Sequence, residues 1–144
     1  MKKIFLISIS LFALLINDSV AQSSNELIGL LMSGAKVSET QAKGGAGALF
    51  EMAKEKLSVD DFFKVAAVVP GMDNILAAIP SLAPKRSMLG AAAIKLSGNA
   101  KVLAIFKKLG INQSKVALFT PIVISYIENK GGKELGGILT KALK

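Results

Sequence analysis

Apolar side chains recur at helical spacing after Ser38, and charged side chains lie between them. The apolar positions fall on one helix face and comprise Ala42, Ala46, Leu49, Phe50, Ala53 and Leu57. Ser38 and Gln41 have the spacing of a capping box, and Val37 precedes them as a residue that packs against the first turn. The pattern therefore predicts a helix that Ser38 caps and that runs to about residue 56.

Three glycines, Gly44, Gly45 and Gly47, lie early in this predicted helix. Each costs up to about 1 kcal/mol relative to alanine inside a helix. Either they let another helix approach closely, or the first turn is frayed and the helix begins near Ala46. A phosphate-binding loop is disfavoured, because no strand precedes the glycines and no GK[ST] sequence follows them.

The next helix follows Ser58, which is placed to cap it, and its predicted buried stripe is Phe62, Val65, Ala66 and Val69. Asp60 and Asp61 lie in its first turn, where carboxylates complement the helix dipole. Adjacent residues on a helix do not face each other, so the two acids do not predict an acid–base pair.

Pro70 and Gly71 predict a turn after this helix, and Asp73 is placed to cap a short helix over residues 74–79. The two prolines of residues 80–86 predict an exposed loop. A further short helix is predicted over residues 88–97.

Four more helices are predicted by the same spacing. They cover residues 25–33, 100–109, 113–129 and 133–143. Gly34 and Gly110 are placed to end the first two, and Asn112 to cap the third. Pro121 lies inside the third, where its missing N–H predicts a bend near residues 117–119.

These elements predict an all-α fold, a compact single-domain bundle of about six or seven short helices. At 144 residues the chain is long enough for one modest core. The segments that begin at Val37 and Ile111 share an order of apolar residue, cap, long helix, joint and short helix. Two degenerate helix-turn-helix repeats are one interpretation, and coincident helical periodicity is the other.

Residues 1–21 have the order of a secretory signal peptide. Two lysines precede an apolar run over residues 4–16, and Ser19 and Ala21 place small residues at the −3 and −1 positions of a cleavage site. The run is shorter than the roughly 20 residues that span a bilayer. We expect cleavage after Ala21, a helical domain over residues 22–144, and a periplasmic or secreted location without lipid attachment.

The amino-acid composition excludes several kinds of catalytic and binding site. The chain contains no His and no Cys, which excludes disulfides, thiolate and imidazole catalysis and the common zinc ligand sets. No catalytic, cofactor-binding or metal-binding residue is predicted. We expect a protein that is not an enzyme, and the alternative is a hydrolase of unknown type that uses carboxylates or Ser/Lys pairs.

The predicted mature domain is basic. The signal peptide removes two lysines and one aspartate from 18 basic and 10 acidic residues, which leaves 16 and 9 and a net charge of +7. Arg86 is the one arginine, and aromatic side chains do not alternate with basic ones, so nucleic acid is not an expected partner. Lys101, Lys107 and Lys108 are candidates for contact with an anionic lipid or polysaccharide surface.

Several motifs carry a resemblance to a known family. They are the VPG turn followed by Asp73, the KLG helix end followed by Asn112, Pro121 within its helix, and the KGG joint. Through these motifs most of the mature chain resembles the VcgC/VcgE-type bacterial domain of unknown function. The resemblance implies a small helical domain, often exported, and assigns no catalytic or ligand-binding residue.

We therefore expect a non-enzymatic interaction or structural module of the cell envelope, whose partner is an envelope protein or a second copy of the chain. The alternative is a basic amphipathic domain that associates reversibly with anionic membrane surfaces. Sedimentation with anionic liposomes at low and high salt separates the two, because salt screens the charges of a surface-bound domain.

Overall fold

A computed structural model describes residues 22–82 and 98–144 of the protein. This part of the chain forms seven α-helices and no strand. They are α1 (Gln22–Ala35), α2 (Glu39–Lys56), α3 (Val59–Ala67), α4 (Met72–Ala77), α5 (Gly98–Lys108), α6 (Gln113–Gly131) and α7 (Lys133–Leu143). The predicted all-α fold is confirmed, and the helix predicted over residues 88–97 lies outside the described residues.

The central element of the bundle is α2, which contacts each of the other six described helices. Hydrogen bonds between residues near its first turn fix the start of α2. The Ser38 hydroxyl accepts a hydrogen bond from the backbone N–H of Gln41, and the Ser38 N–H donates to the Gln41 side chain at 3.0 Å. The predicted capping box is therefore confirmed. Because the helix begins at Glu39, the interpretation of a frayed start near Ala46 is wrong.

The glycines of α2 are points of close helix approach. A Cβ added to Gly47 would lie 2.5 Å from the backbone carbonyl oxygen of Ile75 in α4. One added to Gly44 would lie 2.8 Å from Cδ1 of Leu109, next to the end of α5, and one added to Gly45 would overlap the ring of Phe119 in α6. Any side chain here would push the neighbouring elements away, so the interpretation of close packing is confirmed.

Around this helix the core of the described residues is apolar, and none of their buried side chains is polar or charged. Its centre is an edge-to-face pair of rings from Phe106 and Phe119, with centroids 4.9 Å apart and an interplanar angle of 76°. The largest fully buried side chains are Phe50, Phe106, Phe119, Leu27, Leu31, Ile105, Ile127, Leu139, Val65 and Val123. Burial of these side chains stabilises the bundle.

Two predicted helix boundaries are wrong. Gly34 does not end α1, which continues past it until Lys36 takes a left-handed conformation with φ 51°. Gly34 instead allows α6 to approach, since a Cβ there would lie 2.7 Å from Cδ1 of Ile122. Asp73 does not cap α4. The helix starts directly after Gly71, with φ 73°, so Asp73 falls inside the first turn.

The other local signals are confirmed. Ser58 caps α3 by accepting a hydrogen bond from the N–H of Asp61, and Asn112 caps α6 by accepting one from the N–H of Ser114. Gly110 has the predicted left-handed conformation after α5, with φ 73°. Pro121 lies inside α6 as predicted, and the bend it should cause stays a prediction.

The segments of the predicted repeat pack differently. In the second segment α7 packs closely against α6, the long helix that precedes it. In the first segment α3 has more contact with α7 than with α2, the long helix that precedes it.

None of the helices in residues 22–82 and 98–144 combines the length and apolar character that a membrane span requires.

Candidate interaction surface on α3

An apolar stripe on α3 faces solvent. Val59 is 86% exposed and Phe63 is 74% exposed, and Ala67 is exposed one turn further along. Residues four apart lie on the same helix face, so these three side chains form one continuous line, here called the α3 stripe. A phenylalanine this exposed leaves a large apolar area in water that contact with another molecule would cover.

The orientation of α3 is set by the side that packs on the core. Val65 and Val69 are 0% and 2% exposed, and Phe62 and Ala66 lie half-buried at the edge of the contact. The sequence pattern predicted this inner side and missed the stripe. The sequence does contain a signal for the stripe. The nine residues of α3 include more apolar side chains than one helix face can bury, because Phe63 lies on a different side from Val65.

A groove of about 490 Å³ lies beside the α3 stripe. It runs between α3 and α4 and is called the α3–α4 groove. Its apolar lining includes Phe62, Phe63, Ala66, Val69, Met72 and Leu76. Lys54 and Asp73 also line it, and neither forms an ion pair with another described residue. An apolar groove with charged side chains at its surface is the usual form of a site for a helix or peptide.

The acidic residues near this groove do not converge on one point. Asp61 lies 3.4 Å from Nζ of Lys64, Asp60 is exposed, and Asp73 lines the groove. Within the described residues, no group of three acidic side chains is placed to hold a metal ion. The helix-start role predicted for Asp60 and Asp61 agrees with their position in the first turn of α3.

The three lysines of the predicted anionic contact have different environments. Lys101 Nζ lies 2.7 Å from Oε1 of Glu51 and 3.0 Å from Oε1 of Glu55. Lys108 donates a hydrogen bond to the backbone carbonyl of Ser81. Lys107 is exposed and has no ion-pair partner among the described residues. The predicted contact with an anionic surface stays a prediction, and Lys107 is the lysine best placed to make it.

The comparisons with known proteins identify a family. A family model described as "Protein of unknown function VcgC/VcgE (DUF2780)" matches residues 15–144. The chain belongs to the VcgC/VcgE family. The resemblance inferred from the sequence is thereby confirmed, and the α3 stripe and its groove lie within the matched residues. No curated protein and no protein of solved structure matches the chain.

The Lys101 cluster is structural, and its effect on stability can be measured. Hydrogen bonds to Glu51, and next to Glu55, raise the pKa of Lys101 above its ordinary value of 10.5, while burial opposes them. We expect Lys101→Met to lower the free energy of unfolding at pH 7 by about 1 kcal/mol, because two carboxylates lose their cation.

The pH dependence has a definite sign. Because the pKa of Lys101 is raised in the folded protein, the stabilisation by its ion pairs is complete below pH 10.5. It is lost as the pH rises through the pKa that Lys101 has in the folded state. The difference between wild type and Lys101→Met should therefore shrink above pH 10.5 in urea unfolding. Lys107→Met is the control and should change little, and an equal loss in both variants would contradict the assignment.

Proposed function

We propose that this VcgC/VcgE-family protein is an exported, non-enzymatic interaction module of the cell envelope, which binds a protein partner through the α3 stripe and the α3–α4 groove. The observation that carries the proposal is the exposure of Val59 and Phe63 beside an apolar groove. Burial of one large apolar side chain contributes about 1.5–3 kcal/mol. A partner that covers both residues would gain binding free energy from surface that the fold leaves in water.

The composition of the site supports binding over reaction chemistry. Its lining is predominantly apolar, with Lys54 and Asp73 as the charged exceptions. Neither residue is buried, and neither forms an ion pair with a described residue. Reactive groups are typically desolvated and held by specific partners. The chain also has no His or Cys to serve as base or nucleophile.

The export half of the proposal rests on the sequence of residues 1–21. Its apolar run and its small residues at positions 19 and 21 have the order that signal peptidase recognises. Protein recovered from the envelope fraction should therefore begin at Gln22. A protein recovered from the cytoplasm with its first residue intact would contradict export.

The binding half is tested by photo-cross-linking in intact cells. A photoreactive amino acid replaces Phe63 in one strain and Leu118 in a control strain. Leu118 is a suitable control because it is 44% exposed, lies on α6 and does not line the groove. We expect protein adducts from position 63 and few from position 118. Val59→Ser, added to the position-63 strain, should reduce the yield because it removes apolar surface next to the cross-linker.

Adducts of equal yield from both positions would indicate random collision and contradict the proposal, as would a complete absence of adducts from position 63. Mass spectrometry of the adducts shows whether the captured chain is a different protein or the same one.

A further inference from the structure

We infer that the partner of the α3 stripe is a second copy of this chain, bound across a two-fold axis that passes near Phe63. The inference rests on the proposed function and names the partner of that same surface. Three observations support it: the arrangement of charges beside the stripe, the position of the groove, and the distribution of charge over the chain.

The charges beside the α3 stripe are complementary to the same charges on a second copy of the chain. Successive helix residues are rotated by about 100°, which places Asp60 and Lys64 on the same flank of the α3 stripe, one turn apart. Both side chains are exposed. When two copies of α3 pack antiparallel, the same flank of each helix meets the other. Asp60 then lies opposite the partner's Lys64, and the two-fold axis repeats the contact.

The ion pair that Lys64 forms with Asp61 in its own chain does not prevent this pairing. Lys64 Nζ lies 3.4 Å from Oδ1 of Asp61, and the Lys64 side chain is 62% exposed. A long, exposed ion pair contributes little, so a closer carboxylate from a second copy can replace it.

The other flank of the stripe leads into the α3–α4 groove. Phe62 and Ala66 lie on this flank, and both line the groove. The antiparallel arrangement brings this flank of each copy against the same flank of the other, so that Phe63, next to the two-fold axis, can turn into the partner's groove. The groove of about 490 Å³ has room for one aromatic side chain on an apolar floor. An aromatic anchor in an apolar pocket is the usual centre of a protein interface.

Charge over the whole chain also favours this face. Residues 58–80 carry three acidic side chains and one basic one, although the chain as a whole has a net charge of +8. Two positively charged copies repel each other over most of their surface. Acidic residues outnumber basic ones in residues 58–80, so a contact through the α3 face does not bring two lysine-rich surfaces together.

The size of the surface sets the expected affinity. Helix α3 has nine residues and is about 13 Å long. Together with its groove it would bury less area than the roughly 1,200 Å² of a standard stable interface. We therefore expect a weak dimer, with a Kd on the order of 100 µM.

The experiment is sedimentation equilibrium on the purified protein, in the form that cells produce, at concentrations from about 10 to about 500 µM, which bracket this Kd. Wild type should change from monomer to dimer over this range. Phe63→Ser should remain monomeric, and the control Leu118→Ser should dimerise as wild type does. Circular dichroism verifies that each variant keeps its helices.

A charge exchange tests the arrangement itself. Asp60→Lys and Lys64→Asp each place like charges opposite one another in a homodimer, so each alone should weaken association about tenfold. An equimolar mixture of the two variants restores both pairs in the heterodimer and should return the Kd to nearly the wild-type value. A wild-type protein that stays monomeric throughout, or a mixture as weak as its components, would overturn the inference.

The outcomes separate this inference from the proposed function. A monomeric protein whose position-63 cross-linker captures a different chain in cells defeats the second-copy inference and leaves the interaction module standing. A dimer that tolerates Phe63→Ser places the contact elsewhere and defeats the inference as well.

Discussion

Phe119→Ala is expected to lower the free energy of unfolding by about 3–5 kcal/mol, the usual cost of removing a buried aromatic side chain. Phe119 is 0% exposed, its ring meets that of Phe106 edge to face, and it fills the space over Gly45 in α2. The truncation would leave a cavity where α2, α5 and α6 meet. Urea unfolding followed by circular dichroism measures the loss.

The chain provides a matched control for this prediction. Phe63→Ala removes the same atoms from a side chain that is 74% exposed, so its stability should change by no more than about 0.5 kcal/mol. A loss at Phe63 comparable to that at Phe119 would mean that α3 turns its Phe63 side into the core. That result would contradict the α3 stripe.

Gly47→Ala is the second large change, and we expect a loss of about 2 kcal/mol. The new Cβ would lie 2.5 Å from the carbonyl oxygen of Ile75 and 2.8 Å from Cγ1 of Ile79. The first neighbour is backbone, so α4 must move away from α2 as a unit. Overpacking costs about 1–3 kcal/mol and occasionally more, and a clash with backbone lies at the upper end of this range. The better helix propensity of alanine returns about 1 kcal/mol, which leaves the net loss of about 2 kcal/mol. Thermal and urea unfolding both report the difference.

Gly29→Ala is the control for the glycine substitution. Gly29 lies inside α1, and a Cβ there would have no atom within 4 Å apart from the local backbone. Here only helix propensity changes, so the variant should gain about 0.5–1 kcal/mol. If Gly47→Ala also stabilised the protein, the close approach of α4 to α2 would be wrong.

The sequence predicted the features that depend on neighbouring residues. The capping box of Ser38 and Gln41, the cap at Ser58 and the left-handed Gly110 each involve hydrogen bonds or backbone angles within a few residues. Their chemistry is complete within one turn of chain. Such signals therefore predict helix ends without knowledge of the rest of the fold.

Other features depend on residues far apart in sequence. A glycine at position 34 is typical of a helix end, but in the structure its lack of a side chain lets Ile122 approach α1 closely. The sequence pattern makes Lys101 a candidate for contact with an anionic surface, and it does not reveal the ion pairs with Glu51 and Glu55, which lie on a different helix. A helical wheel shows which residues share a face. It does not show which other helix, if any, covers that face.

The α3 stripe has the same explanation. A pattern of apolar residues on both sides of α3 allows either side to be buried. The choice is made by the helices that contact α3, which are α7, α2 and α6, and it leaves Val65 buried and Phe63 exposed. The α3–α4 groove likewise combines residues of α2, α3 and α4. A site assembled from several helices becomes visible only when their packing is known.

The glycines of α2 also determine how the bundle folds. A helix with Gly44, Gly45 and Gly47 in its first half gives up about 3 kcal/mol of intrinsic helix stability, so the isolated segment would be largely unfolded. The helix at the centre of the protein therefore forms together with the neighbours that the glycines admit. Its amide hydrogens should exchange with solvent only when the whole bundle opens, as one cooperative unit.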